Sequence, residues 1–187
     1  MRIISGKSKG KKILDPNNLN TRPLKDLTKE SIFNIIIHSN KFNVKLENSS
    51  VLDLFSGVGS FGLECLSRGS NNITFVENYK YVLPILKKNI FNLNYQNNVS
   101  VIEIDILNQL NFEVFNKKFD IIFMDPPYKE RDLSKVITNI INAKILNNNG
   151  IIIIHRHKKE KDKFPCKFKI IEEKTYGISR VFFGKHS

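Results

Sequence analysis

The sequence has little of what marks a secreted, metal-binding or membrane-spanning protein. Its 187 residues include two cysteines, Cys65 and Cys166, which are far apart and lack the spacing of metal ligands. A disulfide framework is therefore excluded, and His155 and His157, which could share a strand face, have no third ligand for a metal. There is no run of about 18 apolar residues, and the first residues form too short and polar a stretch for a secretory signal. We expect a cytoplasmic protein without a metal.

What the chain has in excess is positive charge, with a formal net charge of +12. The lysines cluster in two places, at Lys7, Lys9, Lys11 and Lys12 and in the stretch 158–169. Such charge suits a polyanionic partner, of which nucleic acid is the natural candidate. Asn, Ile and Lys are abundant along the whole chain, however, so a bias in composition explains the same lysines equally well.

The length suits one domain with a sizeable core. From Val51 onward, short apolar runs alternate with helical stretches, which is typical of βαβ units and a parallel sheet. Two further strands near the end, joined through Tyr176 and Gly177, are expected to form an antiparallel edge. We therefore predict a Rossmann-like, doubly wound α/β fold with a mostly parallel seven-stranded sheet. The predicted strands are 50–55, 72–77, 99–104, 119–124, 149–155, 168–172 and 179–183, and the predicted helices are 60–68, 80–92 and 131–142.

Two smaller features precede this sheet. Residues 1–14 alternate apolar with basic or small positions around Gly6 and Gly10, which suits a small exposed hairpin. A stiff turn at 20–23 then precedes Asp26, the predicted N-cap of a helix whose apolar face carries Ile32, Phe33, Ile36 and Ile37. We expect a single domain over 1–187, with a basic hairpin extension at 1–20 and the Rossmann-like core at 21–187.

A glycine-rich loop follows the first predicted strand of the core. The run Ser56-Gly57-Val58-Gly59-Ser60-Phe61-Gly62 matches G-x-G-x-x-G at the point where a strand turns into a helix. Its glycines allow a tight turn and a close approach to a ligand, and the helix N-terminus presents unpaired N–H groups. The loop therefore indicates a site for a nucleoside cofactor.

Four carboxylates lie at or near the ends of the predicted parallel strands. Asp53 precedes the glycines, and Glu77, Asp105 and Asp125 follow the next three strands. In a parallel sheet these ends meet at one crevice, where an acid at the position of Glu77 usually binds a ribose diol. Asp105 lies where a carboxylate could accept a hydrogen bond from an adenine amino group. The carboxylate of Asp53 could bind an amino group of the cofactor but would repel a pyrophosphate.

The run 119–124 ends abruptly in Asp125-Pro126-Pro127-Tyr128. Proline fixes φ and carries no N–H, and the residue before a proline is extended, so the loop is stiff and rich in acceptors. A carboxylate beside a free carbonyl can accept both hydrogens of an exocyclic amine, while the Tyr128 ring offers a face on which a base can stack. The loop is therefore suited to bind a nucleobase NH2 group, although Asp and Pro are also common in ordinary turns.

The order of these motifs along the chain resembles that of class I S-adenosylmethionine-dependent methyltransferases that act on exocyclic amines. The motifs are Asp53 to Gly62, Glu77, Asp105 and Asp125-Pro126-Pro127-Tyr128. Nearly the whole chain resembles, more narrowly, the bacterial small-subunit (16S) ribosomal RNA guanine-N2-methyltransferases. That resemblance is carried by Arg2-Ile3-Ile4-Ser5-Gly6, Thr21-Arg22-Pro23, Phe33-Asn34-Ile35, the stretch 52–69, Phe75-Val76-Glu77 and Tyr176-Gly177. Two positions depart from the pattern: Leu24 replaces a small hydroxyl residue, and His155-Arg156-His157 replaces a strand end that is more often acidic.

The resemblance implies S-adenosyl-L-methionine as cofactor and a guanine N2 amine of ribosomal RNA, or of an assembling small subunit, as the methyl acceptor of a monomeric enzyme. Asp125, Pro126 and Tyr128 would be the catalytic residues. Arg22 and Asp53 would hold the methionine end, Glu77 the ribose, and Asp105 with Ile106 the adenine. The remaining expected contacts are Phe55, Ser56, Gly57 and Gly59 with the cofactor, and Lys9, Lys11, Lys12, Pro127, Tyr128 and Arg156 with the nucleic acid.

Three other functions are compatible with parts of the pattern. The loop at Asp125 suits the N6 amine of adenine in DNA or RNA as well as guanine N2. A nicotinamide-dependent oxidoreductase could use the glycine loop, but Asp53 and the loop at Asp125 would then have no role. A non-catalytic RNA-binding module is permitted by the charge, and cofactor binding measured by calorimetry distinguishes it from the enzymes.

Overall fold

Seven strands, labelled β1 to β7 in chain order, form one mixed sheet in this computed structural model, which describes residues 1–16, 24–108, 112–127 and 132–186. The order across the sheet is β3-β2-β1-β4-β5-β7-β6. Neighbouring strands from β3 to β5 run parallel, whereas β7 is antiparallel to both β5 and β6. The predicted fold class is confirmed. The strands are Ser50–Leu54, Asn72–Val76, Val99–Ile102, Phe119–Met124, Leu146–His157, Phe168–Tyr176 and Ser179–His186.

The central strands are buried on both faces, as continuous apolar runs predict for parallel strands. Successive residues point to opposite sides, so Val51 belongs to one apolar cluster and Leu52 to the other. The first cluster packs against three helices, Asp26–His38 (α1), Ser60–Ser67 (α2) and Leu83–Asn92 (α3). The second packs against helix Leu133–Asn142 (α4) and a short 3-10 helix at Phe112–Phe115. The helices cover the two faces of the sheet. Because the strands from β3 to β5 run in one direction, their carboxyl ends lie together at one edge, which the helices leave open.

The helices begin close to where the sequence places them. Pro84 lies in the first turn of α3, as predicted, because a missing N–H costs nothing there. Asp26 is the first residue of α1 and Lys25 is the N-cap, so the prediction of Asp26 as N-cap was wrong by one position. Ile37 is half exposed and the apolar face of α1 is instead completed by Ile32, Phe33 and Ile36. None of the helices in the described ranges is both long and apolar enough to cross a lipid bilayer.

The N-terminal segment, residues 1–16, doubles back on itself as the predicted hairpin does. Its two arms are joined by one antiparallel bridge, Arg2 to Lys12, and by backbone hydrogen bonds between residues 1–3 and 10–13. Ile3 and Ile13 are fully buried in the same cluster as β1, which turns the segment toward the sheet. The segment is therefore a small hairpin, and the difference from the prediction is that one side of it is buried rather than exposed.

Candidate active site

The carboxyl ends of β1, β2 and β4 open onto a cavity of about 420 Å³. Parallel strands end at a common edge, so three of the four predicted acids, Asp53, Glu77 and Asp125, lie on its wall. The other lining residues are Met1, Asp15, Pro16, Leu24, Phe55, Ser56, Gly57, Val58, Ser60, Phe61, Asn78, Tyr79, Val82, Phe123, Pro126 and Pro127. The crevice expected from the strand pattern is therefore present, with the glycine loop on one side and the proline loop on the other.

The glycine loop leaves β1 through backbone in the left-handed region. Gly57 has φ +53°, which favours glycine, and a side chain there would extend into open space on the cavity wall. Gly62 serves close packing instead, since a Cβ would lie 2.4 Å from the Phe75 ring on β2. The loop thus keeps its backbone close to the cavity while α2 packs tightly on the sheet.

Glu77 connects the glycine loop to the turn that follows β2. Its Oε2 accepts a hydrogen bond from the Gly57 amide at 2.7 Å, and its Oε1 accepts from the amides of Asn78 and Tyr79 at 2.9 Å each. A carboxylate held by three N–H groups has a fixed position on the cavity wall. This is the place from which an acid could reach ribose hydroxyls.

Asp53 is the most deeply buried acid of the cavity, with 1% of its surface exposed. Burial raises the pKa of its carboxyl well above the usual range, and the nearby charges of Asp125 and Glu77 raise it further. A hydrogen bond of 3.0 Å from the Gly62 amide to Oδ2 acts in the opposite direction. A cation bound beside Asp53 would restore its ionised form.

The loop at Asp125 is held from the adjacent strand β5. The Nδ1 atom of His155 lies 2.8 Å from Oδ1 of Asp125, and the Arg156 guanidinium donates to the carbonyl of Pro127 at 3.1 Å. Arg156 is itself paired with the carboxylate of Asp162, with Nε 3.0 Å from both oxygens. From the sequence, His155 was only a metal ligand without enough partners and a departure from an acidic strand end. Its contact with Asp125 could not be foreseen, because that contact depends on which strands are neighbours.

Several predicted site residues lie elsewhere. Asp105 accepts hydrogen bonds from the amides of Leu107 and Asn108 and closes its own turn, and Ile106 is buried in the core. Neither residue, nor Gly59, lines the cavity as the described part of the chain defines it. Arg22 and Tyr128 fall outside the described residues.

Arg156 requires a correction. It was expected on the nucleic-acid face, but it is 1% exposed and its guanidinium is bound to Asp162 and Pro127. The burial follows from its position inside β5, between β4 and β7. It holds the loop at Asp125 from within the protein.

The other predicted nucleic-acid contacts are at the surface. Lys9, Lys11 and Lys12 are exposed on the N-terminal segment. A second basic surface, which we call the β5–β6 connection (residues 158–167), carries exposed lysines at 158, 159, 161, 163 and 167. Its inward side is held by Asp162 on Arg156 and by Phe164, whose ring packs against Phe168 and Phe182. The same Arg156 that holds Asp162 also holds Pro127, so this basic surface is joined to the loop at Asp125.

A further group that the sequence did not reveal lies behind the cavity. Lys29 on α1 is fully buried, and its ammonium donates to the carbonyl of Arg2 at 3.0 Å and to the hydroxyl of Ser60 at 3.1 Å. Glu64 on α2 lies 3.8 Å from that ammonium and accepts hydrogen bonds from the amides of Ile4 and Ser5. These contacts attach the N-terminal segment to α2, and the ends of the segment, at Met1 and Asp15, reach the cavity wall.

The chemistry of the cavity matches a cationic nucleoside cofactor. Four carboxyl groups line it, those of Asp15, Asp53, Glu77 and Asp125, in a chain whose net charge is +12, so a sulfonium or ammonium group would be stabilised there and a pyrophosphate would be repelled. The hydroxyl of Ser56 is buried on the wall without a hydrogen-bond partner among the described residues, which leaves it available to a ligand. Within the described ranges no three His, Cys, Asp or Glu side chains are arranged to hold a metal ion.

Comparison with known proteins agrees with this geometry. The family model described as conserved hypothetical protein 95 matches residues 1–185. The chain belongs to this family. Ribosomal RNA small subunit methyltransferase D of Buchnera aphidicola is 36% identical over 172 residues, 92% of this chain and 86% of that protein. The protein of the same name in Haemophilus influenzae is 31% identical over 183 residues, 95% of this chain and 90% of its own length.

A solved structure extends the likeness to the fold. The Escherichia coli protein yhhF, described as a candidate methyltransferase, superposes with a TM-score of 0.83 at 26% identity, covering 100% of this chain and 98% of the other. The resemblance to the small-subunit ribosomal RNA methyltransferases, inferred from the sequence motifs, is therefore confirmed.

Proposed function

We propose that the chain is an S-adenosyl-L-methionine-dependent methyltransferase that modifies the N2 amine of a guanine in small-subunit (16S) ribosomal RNA. One observation carries the proposal: the glycine loop with Asp53 and Glu77 faces the acceptor loop at Asp125 across a single cavity. A cofactor site and an amine-binding loop are thus a short distance apart, as methyl transfer requires. The names of the relatives support ribosomal RNA as the substrate.

The cofactor side of the cavity is formed by five of the expected residues, Asp53, Phe55, Ser56, Gly57 and Glu77. Asp53 would hold the amino group of the methionine portion, and Glu77 would hold the ribose hydroxyls from its fixed position. S-adenosylmethionine would supply an electrophilic sulfonium methyl: the amine nitrogen would attack the methyl carbon in line with the C–S bond, the neutral thioether would leave, and the methylated nitrogen would lose one proton to water. Asp105 and Ile106 are not among the described residues that line the cavity, so we assign the adenine contact to the wall at Asn78 and Tyr79.

The acceptor side must make a poor nucleophile react. The lone pair of a guanine amine is delocalised into the ring, so positioning and charge stabilisation supply most of the rate. Asp125 and the carbonyl of Pro126 would accept the two N–H groups, turn the lone pair toward the methyl and stabilise positive charge developing on nitrogen. Pro127 lies beside them on the cavity wall, where an extruded base would rest.

The RNA itself would be held by two exposed basic surfaces. Lys9, Lys11 and Lys12 form one, and the lysines of the β5–β6 connection form the other. The second is joined to the loop at Asp125 through Asp162 and Arg156, so phosphate contacts there would position the base that enters the cavity. The N-terminal segment shares a core cluster with the sheet, which supports a single domain over 1–187.

Separate measurements of binding and transfer test the proposal. Asp125→Ala should leave the affinity for S-adenosylmethionine, measured by calorimetry, near that of the wild type. It should lower transfer of labelled methyl to small-subunit RNA by something on the order of 10²- to 10⁴-fold, the range for a positioned polar group. Glu77→Ala is the matched control and should weaken cofactor binding. A loss of cofactor affinity in Asp125→Ala would show that Asp125 is a cofactor ligand and would contradict its assigned role.

A further inference from the structure

The described part of the loop at Asp125, residues 125–127, has little backbone hydrogen bonding to fix it. Two of its three described residues are prolines and have no N–H, and the one remaining amide, that of Asp125, reaches the Leu54 carbonyl at 3.5 Å, the limit for a hydrogen bond. Donors must therefore come from neighbouring elements if the carboxylate and the carbonyls are to keep their orientation.

Strand β5 supplies these donors because of its register. Met124 pairs with Ile154 in the parallel β4–β5 ladder, so the next residues along, Asp125 and His155, are neighbours. His155 then meets the side chain of the loop at 2.8 Å, and Arg156 meets its last described carbonyl at 3.1 Å. The end of β5 thus holds both ends of the segment from Asp125 to Pro127.

The surroundings of His155 determine how it binds. An ionised carboxylate only accepts hydrogen bonds, so Nδ1 must carry the proton that it shares with Asp125. Nε2 is buried without a hydrogen-bond partner among the described residues, where an N–H would go unsatisfied. The neutral imidazole with its proton on Nδ1 satisfies both conditions.

We propose that His155 is a positioning residue for methyl transfer in this chain. Its Nδ1–H holds Oδ1 of Asp125, which leaves Oδ2 for the amine of the substrate and keeps the carboxylate from turning away. The inference rests on the proposed function, in which Asp125 binds that amine. It also gives a role to a position where the sequence departs from the acid that more often ends this strand.

Three substitutions separate this role from a general contribution to packing. His155→Asn places an amide donor close to where Nδ1 was, His155→Gln places it near the position of Nε2, and His155→Leu has none. We expect the Asn variant to retain kcat within about threefold of the wild type. The Gln and Leu variants should have kcat lowered by roughly 10- to 100-fold, the range for residues that orient a functional side chain through a hydrogen bond. KM for the cofactor should stay unchanged in all three. Equal kcat values for Asn and Leu, or losses that follow thermal stability alone, would overturn the proposal.

A double-mutant cycle tests whether His155 acts through Asp125. In an Asp125→Ala background, which removes the acceptor altogether, His155→Leu should cost nothing further in kcat, because the carboxylate that it orients is gone. The same fold-loss in both backgrounds would refute the proposed coupling.

A readout that needs no activity separates this inference from the proposed function. The nitrogen-15 NMR signals of the His155 ring, assigned by their absence in His155→Asn, should show the proton on Nδ1 and should shift in Asp125→Asn. If the wild type methylated no RNA, the proposed function would fail while these signals would still decide the contact. A ring protonated on Nε2 and insensitive to Asp125→Asn would overturn the contact itself.

Discussion

At the scale of single residues, the acids of the cavity were predictable and their partners were not. Asp53, Glu77 and Asp125 could be assigned from the sequence because residue type and position at a strand end both follow from the chain order. The contact between His155 and Asp125 depends on β5 lying beside β4 in one particular register, which no local pattern specifies. Asp105 was assigned by the same strand-end rule, but its carboxylate closes a local turn, a competing use that short acidic side chains often have.

The raised pKa of Asp53 predicts that cofactor affinity depends on pH. A cationic ligand favours the ionised carboxylate, so binding must release a proton wherever the free protein holds Asp53 protonated. Affinity should therefore rise with pH, by up to about tenfold per unit, and level off above the raised pKa. Calorimetry of S-adenosylmethionine binding at a series of pH values measures how steeply the affinity changes with pH, and Asp53→Asn is the control.

The same shift affects stability with the opposite sign. Between the usual pKa of an aspartate and the raised value, the folded protein binds more protons at Asp53 than the unfolded chain does, so this residue lowers stability as pH rises.

Asp53→Asn should bind the cofactor more weakly and with a flatter pH dependence than the wild type. Equal slopes in the two proteins would rule out Asp53 as the group that meets the cation.

At the scale of elements, the core strands and helices could be predicted because apolar runs and helical periods are local. The hairpin at residues 1–16 could be predicted too, but its docking on α2 could not, because that docking depends on contacts about 60 residues away in the sequence. Glu64 accepts the amides of Ile4 and Ser5, and Ser67 contacts Ser5 and Ser8. These contacts pack the hairpin on α2, and its ends at Met1 and Asp15 reach the cavity wall.

Two glycines of this segment provide a matched test of the docking. Gly6 and Gly10 have φ of +82° and +83°, so alanine at either position carries the cost of about 1–2 kcal/mol for a left-handed residue. Only at Gly6 would the new Cβ collide, 1.8 Å from the carbonyl oxygen of Ser67. Denaturant unfolding should show a larger loss of stability for Gly6→Ala than for Gly10→Ala. Equal losses would contradict the packing of this segment on α2.

At the scale of the whole molecule, positive charge alone does not identify an RNA-binding surface in a lysine-rich chain. The lysines of the two basic surfaces can, however, be replaced separately and their effects on RNA binding compared. Replacing Lys158, Lys159 and Lys161 by Gln should weaken binding to small-subunit RNA and reduce the salt dependence of log K by roughly two units. The triple change at Lys9, Lys11 and Lys12 should act in the same direction. Binding at several salt concentrations measures both quantities.

The control for these changes removes the same charge from the opposite edge of the sheet. Lys45, Lys117 and Lys118 are exposed and precede the N-terminal ends of β1 and β4, away from the crevice. Replacing them by Gln should change RNA affinity little. If all three sets weakened binding equally, the lysines would act through net charge alone and neither basic surface would be a docking site.

The central claim is the identity of the methylated atom, because the loop at Asp125 suits guanine N2 and adenine N6 equally. Small-subunit RNA is incubated with the purified protein and labelled S-adenosylmethionine, digested to nucleosides and separated by chromatography with mass detection. The account predicts labelled N2-methylguanosine, no label in duplex DNA, and loss of the product in Asp125→Ala. Labelled N6-methyladenosine in its place would contradict the assignment of guanine as the substrate.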